Sequence, residues 1–199
     1  MDTETLILET ATRVFLKKGF DGTRMQEIAN EANINKSMLH YYYRSKELLF
    51  EKIVENSVSL IAPLFLEAIT MEGPVMTKLE KLVDSYIDAI LENPHVPLFI
   101  LYELSQKRVE FIQVFQEKLH QNDALPRFVK QIEEEQAKGI LKPMDARHLI
   151  LTVMSLIVFP FIGRQVFQGL LDVTPATYDG MMEERKKIVM TFLKDTLLK

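Results

Sequence analysis

Apolar residues recur at the spacing of an α-helix in almost every segment of this chain. Ile7 is followed by Ala11, Val14 and Phe15 at positions i+4, i+7 and i+8, which places all four on one face of a helix. No segment shows the alternation of apolar and polar residues, rich in β-branched side chains, that is typical of a strand. The pattern therefore predicts an all-α protein of about nine helices.

The composition predicts a globular protein with a sizeable core. The chain has 199 residues, of which 47% are hydrophobic, and no cysteine, so disulfides and thiolate metal sites are excluded. The first residues do not form a signal peptide. The longest apolar stretch, residues 149–162, contains Pro160 and is too short to span a bilayer. We expect a soluble cytoplasmic protein of one domain, or of one domain with a small appendage.

Charge is distributed unevenly along the chain. The net charge is -4, yet residues 1–46 hold seven basic and six acidic residues, against 17 and 22 in residues 47–199. Residues 33–46 contain three basic side chains and no acid. This asymmetry suggests a small anion-binding domain, residues 1–46, on an acidic body, residues 47–199.

A sharp turn between two predicted helices precedes the basic stretch. The first helix is predicted to start at Thr23, with Gln26 completing a capping box. Asn33 lies where a positive φ is needed, which Asn tolerates better than most residues. Asn35 is a good N-cap for a helix that begins at Lys36. A helix, a three-residue turn and a second helix make a helix-turn-helix.

The second helix of this unit has faces of different character. At about 100° per residue, Leu39 and Tyr43 face the core. Tyr42 points sideways, where a phenol hydroxyl can donate to a phosphate, and Lys46 with the N-terminal amides of the next helix forms a second anion site. The outward residues are Ser37, His40, Tyr41 and Arg44. The alternative, a solvated aromatic patch on a plain bundle, would be a costly way to build a neutral surface.

The stretch from Gly19 to Leu49 resembles the N-terminal domain of the TetR/AcrR family of bacterial transcriptional regulators. The matching elements are Gly19-Phe20, Thr23, Ile28-Ala29, Ala32, Ile34, Leu39, Tyr43, Lys46 and Leu48-Leu49. The chain departs from the family at four positions, where it has Asn33, Asn35, His40 and Tyr42.

The resemblance implies a role in DNA binding for individual residues. Lys36, Ser37 and Tyr41 would meet base edges, and Gln26 is a further candidate reader from the preceding helix. The residues implied along the phosphate backbone are Thr23, Met38, His40, Tyr42 and Lys46.

The rest of the chain is more apolar than a small helical bundle needs. The predicted helices there cover residues 46–70, 75–92, 97–107, 109–121, 125–138, 145–171 and 175–197. Residues 149–167 are hydrophobic on all sides up to Arg164, and such a helix must be buried on all sides. This favours a homodimer through the last two helices, as the resemblance also implies; a monomer in which residues 145–171 are central is the alternative. The predicted contact face on the final helix is Tyr178, Met181, Ile188, Val189, Phe192 and Leu193.

The resemblance also implies a pocket in the body for a small-molecule effector. The candidate lining residues are Phe65, Tyr86, Phe99, Tyr102, Glu103, Phe115, Phe159 and Arg164. Ten methionines and twelve phenylalanines in the chain suit an adaptable apolar cavity. Each of these residues could equally well fill the core, and Glu103 and Arg164 could pair with each other.

These patterns together predict a sequence-specific DNA-binding regulator, a repressor rather than an activator. We expect a small apolar or amphipathic effector to release it from a palindromic operator in double-stranded DNA. The body has no catalytic constellation, no histidines at metal-ligand spacing and no glycine-rich phosphate loop, so we predict no enzyme, no metal, no cofactor and no membrane partner. The alternatives are an all-α small-molecule carrier or enzyme, and a DNA-binding regulator controlled by a protein partner.

Overall fold

The computed structural model describes residues 2–105, apart from the side chains of residues 103–105, and residues 123–199. This part of the chain contains ten helices, and the prediction of an all-α fold is confirmed. They are α1 (Thr3–Gly22), α2 (Met25–Glu31), α3 (Lys36–Tyr42), α4 (Lys46–Thr70), α5 (Val75–Glu92), α6 (Val96–Ser105), α7 (Ala124–Ala137), α8 (Ala146–Ile162), α9 (Arg164–Leu171) and α10 (Pro175–Leu197). The predicted helix over residues 109–121 lies outside the described residues.

The chain forms two compact units, and the boundary between them falls inside α4. The head unit is Met1–Ser59 with Leu98–Val114, and the body unit is Leu60–Pro97 with Phe115–Lys199. The head unit is therefore larger than the predicted domain of residues 1–46. Ring contacts explain its extent, because the Phe50 ring of α4 lies 5.2 Å from Phe15 of α1 and 5.8 Å from Phe99 of α6.

The start and the end of α1 follow from local signals in the sequence. The Asp2 carboxylate accepts a hydrogen bond from the N–H of Thr5 at 2.8 Å and caps the N-terminus. Gly19 breaks the helix with a φ of 73°, which costs least at glycine. Phe20 then stacks on Phe15 with 5.9 Å between ring centroids.

Helix α5 is the central helix of the body unit. It packs against α7, α8 and α10. Its inner face carries Leu79, Leu82, Val83, Tyr86 and Ile90, all of which are buried. The amphipathic pattern of residues 75–92 is thus the main core signal of this unit.

Three long polar side chains hold the connection between α4 and α5. The Lys78 ammonium donates to the carbonyl of Ile69 at 2.9 Å. The Glu135 carboxylate of α7 accepts from the N–H of Val75 at 2.9 Å and so caps α5 from a distant helix. The Gln131 amide donates to the carbonyl of Gly73 at 2.9 Å. These bonds satisfy backbone groups that the two helix ends would otherwise leave without partners.

The prediction of one helix over residues 145–171 is wrong. Helices α8 and α9 meet at Gly163 with a bend of 74°. A Cβ atom at this position would come within 2.8 Å of the Phe167 ring, so a larger residue would displace that ring. The apolar pattern of residues 145–171 does not reveal the bend.

Pro160 lies inside α8 without ending it. Proline has no N–H to donate to the carbonyl four residues earlier, which is that of Leu156. The Arg185 guanidinium of α10 donates to this carbonyl instead, with 3.0 Å between Nε and O. The Tyr178 hydroxyl donates to the carbonyl of Pro160 at 2.9 Å. Two side chains of α10 thus complete the hydrogen bonding around the proline.

Helices α8 and α10 are only partly buried within one copy of the chain. Leu151 and Phe159 of α8 are 63% and 58% exposed, and Ile188 and Phe192 of α10 are 56% and 50% exposed. Within one copy α8 is therefore not buried on all sides, and this is the case in which the sequence predicts that a second copy covers it. Of the predicted contact face on α10, Tyr178, Val189 and Leu193 are instead buried in the core of the body unit.

By length and composition, α4 is apolar enough to cross a membrane. Half of its most apolar window is buried inside the protein, and the core helices of soluble proteins pass the same test. Helices α8 and α9 meet the criterion only when taken together, and the bend at Gly163 divides them.

Candidate nucleic-acid interface

The turn between α2 and α3 has the geometry that the sequence predicts. Asn33 has a φ of 53°, and the N–H of Ile34 donates to the carbonyl of Ala29 at 3.0 Å. The side chain of Asn35 accepts a hydrogen bond from the N–H of Met38 at 2.7 Å and caps α3. The left-handed residue and the N-cap are both confirmed, and together they define a helix-turn-helix.

Helix α3 is anchored by one face and presents the other to solvent. Leu39 and Tyr43 are buried, whereas Tyr41 is 83% exposed, so the predicted faces are confirmed. The Tyr43 hydroxyl donates to the Glu4 carboxylate of α1 at 2.8 Å. Burial and this carboxylate both raise the pKa of Tyr43, which keeps the phenol protonated.

The solvent face of α3 combines aromatic rings with basic side chains. Tyr41 and Tyr42 meet edge to face with ring centroids 5.5 Å apart. Lys36 and Arg44 make no ion pair with any residue in the described part of the chain. Ser37, Met38 and Tyr42 are exposed, and His40 is half-buried. This surface offers uncompensated positive charge and hydrogen-bond donors to an anion.

The predicted capping box at the start of α2 is wrong. Thr23 is buried, and its hydroxyl donates to the carbonyl of Gly19 at 2.7 Å. Arg24 is the N-cap residue and makes no capping bond with its side chain. Gln26 is exposed and donates to the side chain of Asn30 at 2.9 Å. Thr23 therefore closes the end of α1, and its contact with the phosphate backbone stays a prediction.

Lys46 is held by the head unit itself. Its ammonium donates to the carbonyls of Phe20 at 2.8 Å and Thr23 at 3.2 Å, and it lies 4.2 Å from the centroid of the Phe20 ring. Ser45 caps α4, because its hydroxyl accepts from the N–H of Leu48 at 3.2 Å. Lys46 thus joins the start of α4 to the turn between α1 and α2, rather than standing free for a phosphate.

The residues predicted for an effector pocket are divided between the two units. Phe99 and Tyr102 belong to the head unit, and the Tyr102 hydroxyl would lie 2.7 Å from a Cβ atom on Gly19. Phe65 and Tyr86 are buried in the body unit, and burial raises the pKa of Tyr86. Phe115 and the side chain of Glu103 lie outside what the structure describes.

The last two predicted pocket residues lie at a groove that the sequence does not reveal. An open groove of about 670 Å³ runs between α8, α9 and α10, and Phe159 lines it. Arg164 lies beside it, paired with Asp179 at 2.7 Å. Arg185 lines the same groove but is missing from the predicted set. Its role is to donate to the Leu156 carbonyl, which Pro160 leaves without a donor. The sequence around Arg185 gives no sign of this role, because Pro160 lies on another helix.

The helix-turn-helix with its basic, aromatic outer face defines a DNA-binding protein, here attached to an α-helical body. Residues 7–53 match the bacterial regulatory proteins of the tetR family, and residues 75–191 match the tetracyclin repressor-like C-terminal domain. The chain therefore belongs to the TetR family, and it is a DNA-binding transcriptional regulator rather than an enzyme.

Individual relatives agree with this assignment. The chain is 27% identical over 198 residues to the HTH-type transcriptional repressor NicS of Pseudomonas putida, covering 97% of this chain and 89% of NicS. Over 50 residues, 25% of this chain and 27% of the relative, it is 42% identical to the negative regulator IcaR of the icaADBC biofilm operon from Staphylococcus epidermidis. Its fold is similar to that of AibR, solved with isovaleryl coenzyme A and operator DNA. That match has a TM-score of 0.61 and 20% identity, and covers 80% of this chain and 86% of AibR.

Proposed function

We propose that the protein is a cytoplasmic repressor that binds a palindromic operator as a homodimer and leaves it when a small molecule binds. The observation that carries this proposal is the outer face of α3, where exposed Tyr41 lies among unpaired cations on an anchored helix. The relatives NicS and IcaR are described as a repressor and a negative regulator, which favours repression here.

The DNA contacts that we propose come from α3 and from Gln26 of α2. Lys36, Ser37 and Tyr41 reach base edges in the major groove, with Gln26 as a further reader. Met38, His40 and Tyr42 lie along the phosphate backbone. Lys46 and Thr23 position the helices through the bonds described above.

We place the dimer contact on the exposed apolar sides of α8 and α10. Leu151, Phe159, Ile188 and Phe192 are each at least half exposed, and large apolar patches on a surface often mark a contact with another protein. A second copy that covers this face would bring two α3 helices to one operator. Successive half-sites lie about one helical turn of DNA apart.

The effector is proposed to bind the body unit and to act through its differential affinity for two states of the protein. AibR was solved with both a coenzyme A thioester and operator DNA, which makes a small-molecule effector reasonable for this chain. Pro63 lies inside α4, a few residues beyond the boundary between the units. Because Pro63 has no N–H, α4 lacks one backbone hydrogen bond there, and the helix can bend when the conformation of the body unit changes.

Selection of DNA from a random pool tests the proposal without knowledge of the effector. The purified protein should enrich one (pseudo)palindrome, and the affinity for it should fall steeply as salt rises. The matched control is Tyr41→Ala, which should enrich a more relaxed motif while remaining folded. If the pool shows no enrichment, or if a single half-site is bound as tightly as the palindrome, the proposed function is wrong.

A further inference from the structure

Arg185 brings a positive charge into the groove between α8, α9 and α10. The groove has a volume of about 670 Å³, and most of the side chains that line it are apolar. The Nε of Arg185 donates to the carbonyl of Leu156 at 3.0 Å, which fixes the plane of the guanidinium. Burial lowers the pKa of Arg185, yet an arginine stays protonated at neutral pH.

The guanidinium of Arg185 has unused donors and no acid beside it. No carboxylate in the described part of the chain pairs with Arg185, whereas Arg164, beside the same groove, is bound to Asp179 at 2.7 Å. A cation that loses its water is unfavourable unless a counter-charge and hydrogen bonds replace that water. The outer nitrogens of the guanidinium form a fork that matches a carboxylate. An acidic group that covers the groove would therefore complete Arg185.

Arg185 lies within the apolar face that we assign to the dimer contact. On α10 it lies four residues after Met181 and three before Ile188, and both of these side chains are exposed. Leu151 and Phe159 of α8 line the same groove as Arg185. In a contact between two identical copies, residues near the two-fold axis meet the same region of the partner. The acid that completes Arg185 is thus expected on α10 itself, close to position 185.

Glu184 is an acid with this position. It is exposed and makes no ion pair with any residue that the structure describes. It lines the same surface of α10 as Ile188 and Phe192, so it lies on the apolar side of the helix. Successive residues of a helix point about 100° apart, which separates Glu184 from Arg185 within one copy. An unpaired acid and an unpaired cation therefore lie side by side on the face assigned to a second copy.

We propose that Arg185 of each copy pairs with Glu184 of the partner subunit across the two-fold axis of the dimer. The symmetry creates two such pairs in each dimer. Apolar burial is non-directional, whereas charged pairs fix the register of two surfaces and disfavour wrong partners. This inference rests on the proposed homodimer, and it names the contact that selects a second copy of this chain to cover the groove.

Glu184→Gln is the first test, because the side chain is exposed in one copy and its replacement leaves the core intact. Two charge-assisted contacts are lost from each dimer, so the dissociation constant should rise about 100-fold, which is roughly tenfold for each contact. Sedimentation equilibrium of the full chain measures this constant. Glu183→Gln is the matched control, because Glu183 is exposed on the same helix but lies outside the surface of Ile188 and Phe192. It should leave the constant unchanged.

Arg185→Gln identifies the group that Glu184 meets. The glutamine amide can still donate to the carbonyl of Leu156, and the dissociation constant should rise as much as in Glu184→Gln. Combining the two changes should raise it little further, because either change alone removes the same contact. Lys187 is a second cation on this surface, so Lys187→Gln is the control for Arg185→Gln. Its effect should multiply with that of Glu184→Gln.

Three outcomes would overturn the proposal. A Glu184→Gln variant that dimerises as tightly as the unmodified protein would show that Glu184 makes no such pair. Effects of Glu184→Gln and Arg185→Gln that multiply would show that the two side chains act separately. Coupling of Glu184→Gln to Lys187→Gln, rather than to Arg185→Gln, would assign Glu184 to a different contact.

The proposed function and this inference give different results when they fail. If the unmodified protein sediments as a monomer at concentrations that saturate the operator, the proposed homodimer is wrong and this inference is wrong with it. If the protein is a dimer and Glu184→Gln leaves the dissociation constant unchanged, this inference alone is wrong.

Discussion

Two exposed surfaces of this protein contain large side chains, but they differ in their charge. On α3, Tyr41 and Tyr42 stand beside Lys36 and Arg44, none of which is paired with an acid of the described chain. One side of α8 and α10 exposes the large apolar side chains of Leu151, Phe159, Ile188 and Phe192. The first surface suits a hydrated polyanion, whereas the second is stabilised when water is excluded from it.

The largest effect is expected when charge is placed on the apolar surface of α8 and α10. Ile188→Asp/Phe192→Asp should dissociate the dimer, because two carboxylates would be buried without partners. Loss of the second DNA contact should weaken operator binding by about 100-fold or more. Sedimentation equilibrium and operator titration measure the two effects, and Glu183→Lys, on the exposed polar side of α10, should leave both unchanged. A variant that stays dimeric would show that the contact lies elsewhere.

Tyr41 of α3 and Tyr43 at its C-terminal end have different predicted roles. Tyr43 anchors the helix to the core, and Tyr41 contacts DNA. Tyr43→Ala should destabilise the head unit by roughly 3 kcal/mol, as for other buried aromatic residues. Tyr43→Phe should cost about 1 kcal/mol through loss of the bond to Glu4. Tyr41→Ala should change stability by less than about 0.5 kcal/mol and should relax the selected DNA motif. Thermal denaturation together with DNA selection distinguishes the two roles, and reversed outcomes would refute the assignment of the faces.

The features that the sequence predicts correctly are those determined by neighbouring residues. In the head unit, Gly19, Asn33, Asn35 and Ser45 each act on backbone within a few residues of themselves, so their roles follow from local patterns. The burial of Leu39 and Tyr43 follows from helical periodicity in the same way.

Contacts between distant residues decide the features that were not predicted. Arg185 serves Leu156 from 29 positions away, and Lys46 bonds to Phe20 across 26 positions. Charge and family resemblance do not report the two carbonyls that the Lys46 ammonium bonds, and its contact with a phosphate stays a prediction.

Lys36 and Lys46 provide a smaller test, which separates a cation that meets DNA from one that supports the fold. Lys36→Ala should weaken operator binding by about 1–3 kcal/mol and relax the base preference at its contact, as for a residue that reads a base edge. Lys46→Ala should leave the slope of log affinity against log salt unchanged and lower stability by about 1–2 kcal/mol, because two carbonyls lose a charged donor. Operator titrations at several salt concentrations, with thermal denaturation of each variant, give both quantities. A shallower slope for Lys46→Ala would restore its predicted role at a phosphate.

The smallest expected effect concerns the turn that sets the angle between α2 and α3. Asn33 has a φ of 53°, a conformation that costs an ordinary L-residue roughly 1–2 kcal/mol and glycine almost nothing. Asn33→Ala should therefore destabilise the protein by about 1 kcal/mol, while Asn33→Gly should stay within about 0.5 kcal/mol of the original. Chemical denaturation measures both, and operator affinity should follow the same order, since α3 is presented through this turn. Equal stability of the two variants would mean that the turn relaxes to a negative φ at no cost, and that Asn33 does not determine how α3 is held.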